Sequence, residues 1–231
     1  MKKDKRDLWC IVGTGRNGSS LLSGTLHGLG KDFGHNFKSE WDKSSGNFEH
    51  PMLHQAFSFL FRADSLRKIP FCNKLANYYY RKVDRCMTSV AASASFLKSS
   101  KLLYLVPYIP RNKYNVKLII LIRKFDDYCL SRHARFNAPF DEIKDKYIRD
   151  MKQLSMLASV HEHIVVDFDD LLNDTAVGVL DEIAHFVGIE PHKLHLSSAT
   201  VKKPDGRAKI VSSYFPLSIE ADQEFMRLKR L

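Results

Sequence analysis

The chain has 231 residues, 44% of them hydrophobic and 27% charged, and its formal net charge at pH 7 is +10. It is long enough for one sizeable core, and its composition is ordinary for a globular domain. The basic residues are spread from end to end, and neither a basic face interleaved with aromatic residues nor a recognisable nucleic-acid-binding module is present. We therefore expect an anionic ligand, acceptor or membrane surface, and no nucleic acid, as the partner.

We expect a single soluble, cytoplasmic domain over residues 1–231. The basic first residues run directly into a short apolar segment, without the apolar region or cleavage site of a signal peptide, and no apolar run approaches the ~20 residues that a membrane span needs. The four cysteines lack the C-x-x-C spacing of a zinc or redox site. We expect buried, reduced thiols at Cys10, Cys72, Cys86 and Cys129.

Strands and helices alternate from the start of the chain. The run "LWCIV" from Leu8 predicts a buried strand, and a Gly-rich turn leads from it into a helix whose apolar residues Leu22, Leu26 and Leu29 recur at helical spacing. The segment 51–98 is rich in aromatic and basic residues with helical periodicity, which predicts a helical insertion.

The second half of the chain continues this alternation. Asp174 is expected to cap a helix that ends at Gly188, and the C-terminal "SIEADQEFMRLKRL" is expected to form a surface helix. The other predicted elements are strands in "KLLYLV" (101–106), "VKLIILIR" (116–123) and "HIVVDF" (163–168), and helices at 126–136 and 140–160. Strands separated by helices indicate an α/β fold with a parallel sheet covered on both faces, in which ligands bind beyond the carboxyl ends of the strands.

The loop "GTGRNGSS" (13–20) looks like a phosphate-binding loop without its lysine. Gly13 and Gly18 keep the Walker spacing, but Ser19 stands where the lysine belongs. Backbone amides wrapped by glycines and aimed along a helix N-terminus make an anion cradle, to which Ser19 and Ser20 add hydroxyl donors and Arg16 adds a guanidinium group. A tight strand-to-helix connection is the alternative explanation of these glycines.

The predicted central strand "VKLIILIR" ends in Arg123, where a nucleoside triphosphatase would benefit from a metal-binding carboxylate. Two cations and no obvious metal carboxylate suit a donor whose anionic groups are held directly by the protein, so we expect no metal. Asp167 is the best alternative carboxylate. It supports a second hypothesis, a small kinase-like enzyme that uses Mg-ATP with Arg16 in place of the lysine.

Three segments together carry a family resemblance. The loop "GTGRNGSSLL", the segment "LIILIRKFDDYCLSRH" with Ser131 eight positions after Arg123, and "IVVDFDDLLND" followed by "IAHFVGIEP" resemble, in that order, the sulfotransferases that use 3′-phosphoadenosine 5′-phosphosulfate (PAPS). They span most of the chain from Trp9 to Pro191. The family usually has a proline two residues after the arginine, where this chain has Phe125.

The resemblance implies a P-loop-like three-layer α/β sandwich and a metal-independent transfer of a sulfuryl group from PAPS to an acceptor hydroxyl. Arg123 and Ser131 would hold the 3′-phosphate of the donor. The 5′-phosphosulfate would be held by the loop residues, which are Gly15, Arg16, Asn17, Gly18, Ser19 and Ser20. A fixed guanidinium and several amide donors stabilise the charge that develops on the leaving phosphate, so Arg16 is also a catalytic candidate.

The base, a closing loop and the acceptor are assigned less directly. The subsegment "GNFEHP" resembles a stretch of many bacterial members and points to Glu49 as the base, with His50 and His35 as substitutes, although a carboxylate at this position also suits a helix N-terminus. The late segment "TVKKPDGRAKI" is either a solvated turn or a loop that brings Arg207 to the 3′-phosphate. We expect the segment 51–98 to shape the acceptor pocket, with a carbohydrate or glycolipid hydroxyl as the acceptor. A binding module that keeps the fold without catalysis remains a third hypothesis.

Overall fold

The computed structural model describes residues 5–34, 48–172, 176–190, 193–194 and 219–231. Its strands are β1 (Arg6–Gly13), β2 (Phe96–Lys98), β3 (Tyr114–Ile122) and β4 (Glu162–Asp167). The helices are α1 (Ser19–Gly28), α2 (Pro51–Arg67), α3 (Asn73–Ser93), α4 (Leu102–Leu105), α5 (Phe125–Phe136), α6 (Phe140–Ala158), α7 (Phe168–Leu172), α8 (Ala176–Phe186) and α9 (Ile219–Lys229), and a 3₁₀ turn covers Val106–Tyr108.

The four strands form one parallel sheet in the order β2-β1-β3-β4. β1 and β3 are the central pair and align over their whole length, with Cys10 beside Leu118 and Gly13 beside Leu121. Strands covered on both faces need apolar side chains in both directions, which accounts for the unbroken apolar run of β3. The predicted α/β class and parallel sheet are confirmed.

Helices cover both faces of the sheet and make it the middle of three layers. Cys10 and Val12 point into a core built with α2, α3, α4, α5, α6 and α9. Ile11, between them, points into a second core with α1, α7 and α8. This alternation follows from the two-residue period of a strand.

One predicted strand is wrong. The segment "KLLYLV" forms α4 and the start of the 3₁₀ turn, with Leu102, Leu103 and Leu105 all buried. The edge strand is instead the three-residue β2, where the Phe96 ring stacks on Trp9 with centroids 5.0 Å apart. A short apolar run does not distinguish a buried strand from a buried helical turn, and only the neighbouring β1 decides which segment pairs.

The segment 51–98 is mostly helical but does not end as predicted. α2 and α3 pack against each other as a hairpin that ends at Ser93, and residues 96–98 belong to the sheet as β2. Helices α5, α6 and α8 occur close to their predicted bounds, whereas Asp174, the expected cap, lies outside the described residues.

The C-terminal helix is more than a surface element. α9 packs on α6 and β4, and its residues Ala221, Phe225 and Leu228 are buried. All four cysteines are free, and three of them are buried as expected, whereas Cys72 is only partly buried. Burial raises the pKa of the Cys10 thiol to about 12. Within the described part of the chain, no helix is both long and apolar enough to cross a membrane.

Candidate functional site

The candidate site lies beyond the carboxyl ends of β1, β2 and β3. The chain runs from β1 to β2 on one side and then crosses back to β3 on the other side of β1, so the strand order reverses between β1 and β3. Ligands of open α/β sheets bind in the crevice outside such a point. The Gly-rich loop that follows β1 occupies this position.

The shape of the loop requires glycine at two positions. A Cβ at Gly13 would lie 2.3 Å from the carbonyl oxygen of Leu121, which belongs to the neighbouring strand. Gly18 has φ +77°, and a Cβ there would lie 2.3 Å from the ring of Phe168. The loop is therefore packed against β3 on one side and against α7 on the other.

Asn17 fastens the loop from within. Its side chain is buried, its Nδ2 donates to the carbonyl oxygen of Leu121 at 2.7 Å, and its Oδ1 accepts from the amide of Ser19 at 3.4 Å. Sequence reasoning placed Asn17 among the donor-binding residues. The structure uses its side chain to hold the loop, which leaves its backbone amide as the group that can serve a ligand.

The loop leads into the N-terminus of α1, which carries an unusual cap. Gly18 is the N-cap residue, no side chain caps the helix, and its first turn contains no acidic residue. The first amides of a helix lack intrahelical acceptors, and the helix dipole favours an anion there. Together with the hydroxyl groups of Ser19 and Ser20, this end of α1 has the donor set of an anion site.

Arg16, Arg123 and Ser131 meet beside this loop. The Nε of Arg16 donates to Ser131 Oγ at 3.0 Å, and Nη1 of Arg123 donates to the carbonyl oxygen of Arg16 at 3.1 Å. Arg16 has a left-handed backbone with φ +58°, which is uncommon outside glycine and turns its carbonyl group toward Arg123. Three residues from separate parts of the sequence thus converge on one place.

Arg123 is held in position and still has an unused donor. Its guanidinium lies over the ring of Phe168, 4.9 Å from the centroid, and its carbonyl oxygen accepts from the hydroxyl of Tyr147 at 2.8 Å. Its Nε is buried and donates to no atom of the described residues. A buried donor without an acceptor is costly, and an anion bound there would satisfy it.

On the other side of the loop, Lys98 joins the site, a residue that sequence reasoning missed. Lys98 ends β2 and is 4% exposed, and its Nζ donates to Ser20 Oγ at 3.1 Å and pairs with Glu49 Oε1 at 3.3 Å. Oε2 of Glu49 accepts from Ser99 Oγ, also at 3.3 Å. The sequence feature that could have indicated Lys98 is a lysine at the end of a short apolar run, but residues 96–98 fall within the predicted helical insertion.

Glu49 and His50, two candidates for the catalytic base, differ in their contacts. Glu49 also contacts Nε2 of His54 at 3.3 Å. His50 is buried at the N-cap of α2, and its Nδ1 accepts from the amide of Met52 at 3.2 Å. Nζ of Lys101 contacts Nδ1, the other ring nitrogen of His54, and burial lowers the pKa of Lys101. Glu49 therefore lies beside the loop, whereas one ring nitrogen of His50 is used as a helix cap.

Asp167, the alternative metal ligand, forms an ion pair with a lysine. It is 4% exposed, its Oδ2 pairs with Lys229 of α9 at 2.8 Å, and its Oδ1 accepts from the amide of Asp169 at 3.1 Å. These contacts give the carboxylate a structural role. Among the residues that the structure describes, no group of three or more His, Cys, Asp or Glu side chains could hold a metal ion.

Two candidate site residues, His35 and Arg207, lie outside the described residues. The other cations of the late basic segment, Lys202, Lys203 and Lys209, also lie outside them.

Comparison with known proteins identifies the fold. No family model matches the sequence, and no curated protein matches it. Among solved structures, the sulfotransferase domain of the olefin synthase from Synechococcus PCC 7002 is similar over 100% of this chain and 96% of its own, with 16% identity and a TM-score of 0.53. The sulfotransferase domain from the curacin biosynthetic pathway is similar over 98% of both chains, with 14% identity and a TM-score of 0.53. The resemblance seen in the sequence is thus confirmed at the level of the fold.

Proposed function

We propose that this chain, which has the fold of sulfotransferase domains, is a PAPS-dependent sulfotransferase that acts without a metal ion. The observation that carries the proposal is the convergence of Arg16, Arg123 and Ser131 beside a helix N-terminus whose N-cap residue is a glycine. A donor that carries both a phosphosulfate and a 3′-phosphate has two anionic groups, and the two adjoining arginines suit such a ligand. Arg16 and the loop would contact the phosphosulfate, and Arg123 with Ser131 would contact the 3′-phosphate.

The donor supplies an activated sulfuryl group, and the protein supplies charge and position. The amides of residues 15–20, with Arg16 and the serine hydroxyl groups, would hold the phosphosulfate. Arg123 has a buried Nε with no acceptor among the described residues, which suits a phosphate oxygen. Lys98, which touches Ser20, would place a second cation beside the loop where negative charge grows on the leaving phosphate.

Glu49 is the proposed base. It would take the proton of the acceptor hydroxyl while the acceptor oxygen bonds to sulfur and the bond from sulfur to the phosphate oxygen breaks, leaving adenosine 3′,5′-bisphosphate. Its contacts with Lys98 and Ser99 fix the carboxylate at the edge of the loop. His50 is the weaker candidate because its Nδ1 caps α2. Glu49→Gln should therefore lower PAPS turnover by about 10²-fold or more, and His50→Gln by less.

The acceptor is proposed to be a hydroxyl group of a carbohydrate or glycolipid, bound between the loop and the α2–α3 hairpin. α2 begins directly after Glu49 and His50, so the hairpin starts at the proposed base. The cytoplasm is the proposed location.

The experiment is thermal unfolding with adenosine 3′,5′-bisphosphate, with and without EDTA, and with Mg-ATP as a separate arm. We expect stabilisation by the bisphosphate that EDTA does not change, because ligand binding to the folded state raises its stability. Arg123→Ala should abolish that stabilisation, whereas Arg111→Ala, at an exposed arginine away from the loop, should keep it. Stabilisation by Mg-ATP alone would favour a kinase-like enzyme, and stabilisation by neither ligand would favour a binding module without catalysis.

A further inference from the structure

The turn between α2 and α3 concentrates exposed apolar side chains. Thirteen large hydrophobic residues of the described chain are exposed, and five of them lie within residues 61–78, namely Phe61, Ile69, Phe71, Leu75 and Tyr78. We call residues 67–75 the hairpin tip. Phe71 is 101% exposed, and Ile69 and Leu75 are about half exposed at 50% and 47%. Scattered exposed apolar residues need no explanation, but a cluster in one turn indicates an interaction surface.

The same turn is strongly basic. The segment 51–93 has seven Lys and Arg residues against two Asp residues, so its net charge of +5 is half of the chain's +10. No acidic residue occurs between Ser65 and Leu75. Elsewhere in the described chain, basic side chains often pair with carboxylates, as Lys152 does with Glu220, but no ion pair among the described residues involves Lys68 or Lys74.

Two residues of the tip contradict the local rules of helix structure. Phe71 has φ +68°, a left-handed conformation that a bulky side chain rarely adopts and that Asn or Gly would fit better. Lys74 lies in the first turn of α3, where the helix dipole disfavours a cation, and that turn contains no acidic residue. The dipole explains Arg67 and Lys68 at the C-terminus of α2, but it does not explain Phe71 or Lys74. Such departures are expected where a surface serves binding rather than folding.

We propose that the hairpin tip docks on the surface of an anionic lipid bilayer. Phe71, Ile69 and Leu75 would enter the boundary between headgroups and acyl chains, and Lys68 and Lys74 would face the lipid phosphates. Tyr78 would lie at headgroup depth, where aromatic rings with a polar end are favoured. Behind the tip, a cavity of about 540 Å³ is lined by Arg67, Asn73, Ala76, Asn77 and Tyr80, and it offers donors to a headgroup.

The docking is independent of the proposed transfer reaction, and its test needs no enzyme activity. Protein is sedimented with vesicles of phosphatidylcholine alone, or of phosphatidylcholine containing about one-third phosphatidylserine. We expect at least about tenfold stronger partitioning onto the anionic vesicles at about 0.1 M salt, and a marked loss at about 0.5 M salt because the attraction is screened.

Two variants separate docking from folding. Phe71→Asn suits the left-handed backbone, and Lys74→Glu suits the start of a helix, so each should keep or raise the thermal midpoint. Each should nevertheless weaken partitioning onto anionic vesicles by about tenfold, because it removes an inserted ring or reverses a charge at the surface. The matched controls are Val160→Asn, at an apolar residue that is 56% exposed, and Lys113→Glu, at an exposed lysine outside the hairpin. Both should bind like the wild type.

Three results would overturn the proposal. One is equal recovery with neutral and anionic vesicles, and another is unchanged binding of both tip variants. The third is a wild-type protein that ignores vesicles but sediments as a dimer that Phe71→Asn dissociates, since the tip would then be a contact between copies.

Discussion

A lysine–carboxylate pair lies at the carboxyl end of each edge strand of the sheet, and the two pairs differ in their other contacts. In the pair at β2, the lysine belongs to the strand, and the side chains of Lys98 and Glu49 are 5% and 18% exposed. In the pair at β4, the carboxylate belongs to the strand, and the side chains of Asp167 and Lys229 are 1% and 39% exposed. Both pairs are close, at 3.3 Å and 2.8 Å.

The remaining contacts separate their roles. Nζ of Lys98 also reaches Ser20 at the start of α1, so this pair borders the candidate anion site. Nζ of Lys229 also reaches Asp170 at 3.1 Å, so the second pair fastens α9 to the sheet. The chemistry of a buried ion pair does not by itself distinguish a reactive group from a structural one. The other groups that an ion pair contacts make this distinction.

The largest effect is expected for Lys98→Met. Removing a cation from the place where charge develops should lower PAPS turnover, with an acceptor or with water, by about 10³-fold, or about 4 kcal/mol. The affinity for adenosine 3′,5′-bisphosphate should also fall, because that product keeps the phosphate on which the negative charge develops. Turnover and product binding measured on the same preparation check this, and unchanged turnover would contradict the role of Lys98.

Lys229→Met should act on stability instead. It leaves the buried Asp167 carboxylate without its cation, which should lower the free energy of unfolding by about 2–4 kcal/mol, somewhat less than for a fully buried pair because Lys229 is partly exposed. PAPS turnover per folded molecule should stay within about twofold, since the pair lies outside the proposed site. Denaturant unfolding measures the loss, and Asp167→Asn combined with Lys229→Met should recover much of it.

Ser131→Ala should have a smaller effect, confined to the donor. It removes the hydroxyl that accepts from Nε of Arg16, so the affinity for adenosine 3′,5′-bisphosphate should fall by about fivefold, or about 1 kcal/mol. Ser159→Ala is the control, because Ser159 donates only to a carbonyl of its own helix in the described contacts. Calorimetric titration of both variants checks this, and equal affinities would remove Ser131 from the site.

The smallest effect is a pH dependence of the second pair. The hydrogen bond to Asp167 raises the pKa of Lys229 above its ordinary value of 10.5. The stability that this shift contributes is present below the unfolded-state pKa and is lost as the pH rises through the higher folded-state value. The difference between the unfolding midpoints of the wild type and Lys229→Met should therefore become smaller as the pH rises above 10.5. A constant difference at all pH values would show that the charge of Lys229 is not what stabilises α9.

Local patterns in the sequence were enough to predict much of the fold. The apolar runs of β1 and β3, the glycines at 13 and 18, and the helical periodicity of α6 each reflect a constraint within a few residues. These local patterns did not reveal the role of Lys98. A strand of three residues is too short to show a period, and the partner of Lys98, Glu49, lies 49 positions earlier in the chain. The strand predicted at "KLLYLV" was wrong because a short apolar run fits a buried helical turn equally well.

The sequence by itself determined an α/β chain with a Gly-rich loop that lacks the Walker lysine, because backbone conformation and apolar periodicity are set by nearby residues. Only the tertiary structure decided that Arg16, Arg123 and Ser131 meet, that Lys98 and Glu49 border the same loop, and that Asp167 is paired with a lysine from the last helix. Parallel strands bring distant segments to one edge of the sheet. Which side chains then share a neighbour depends on strand order and register, and a single sequence does not display these.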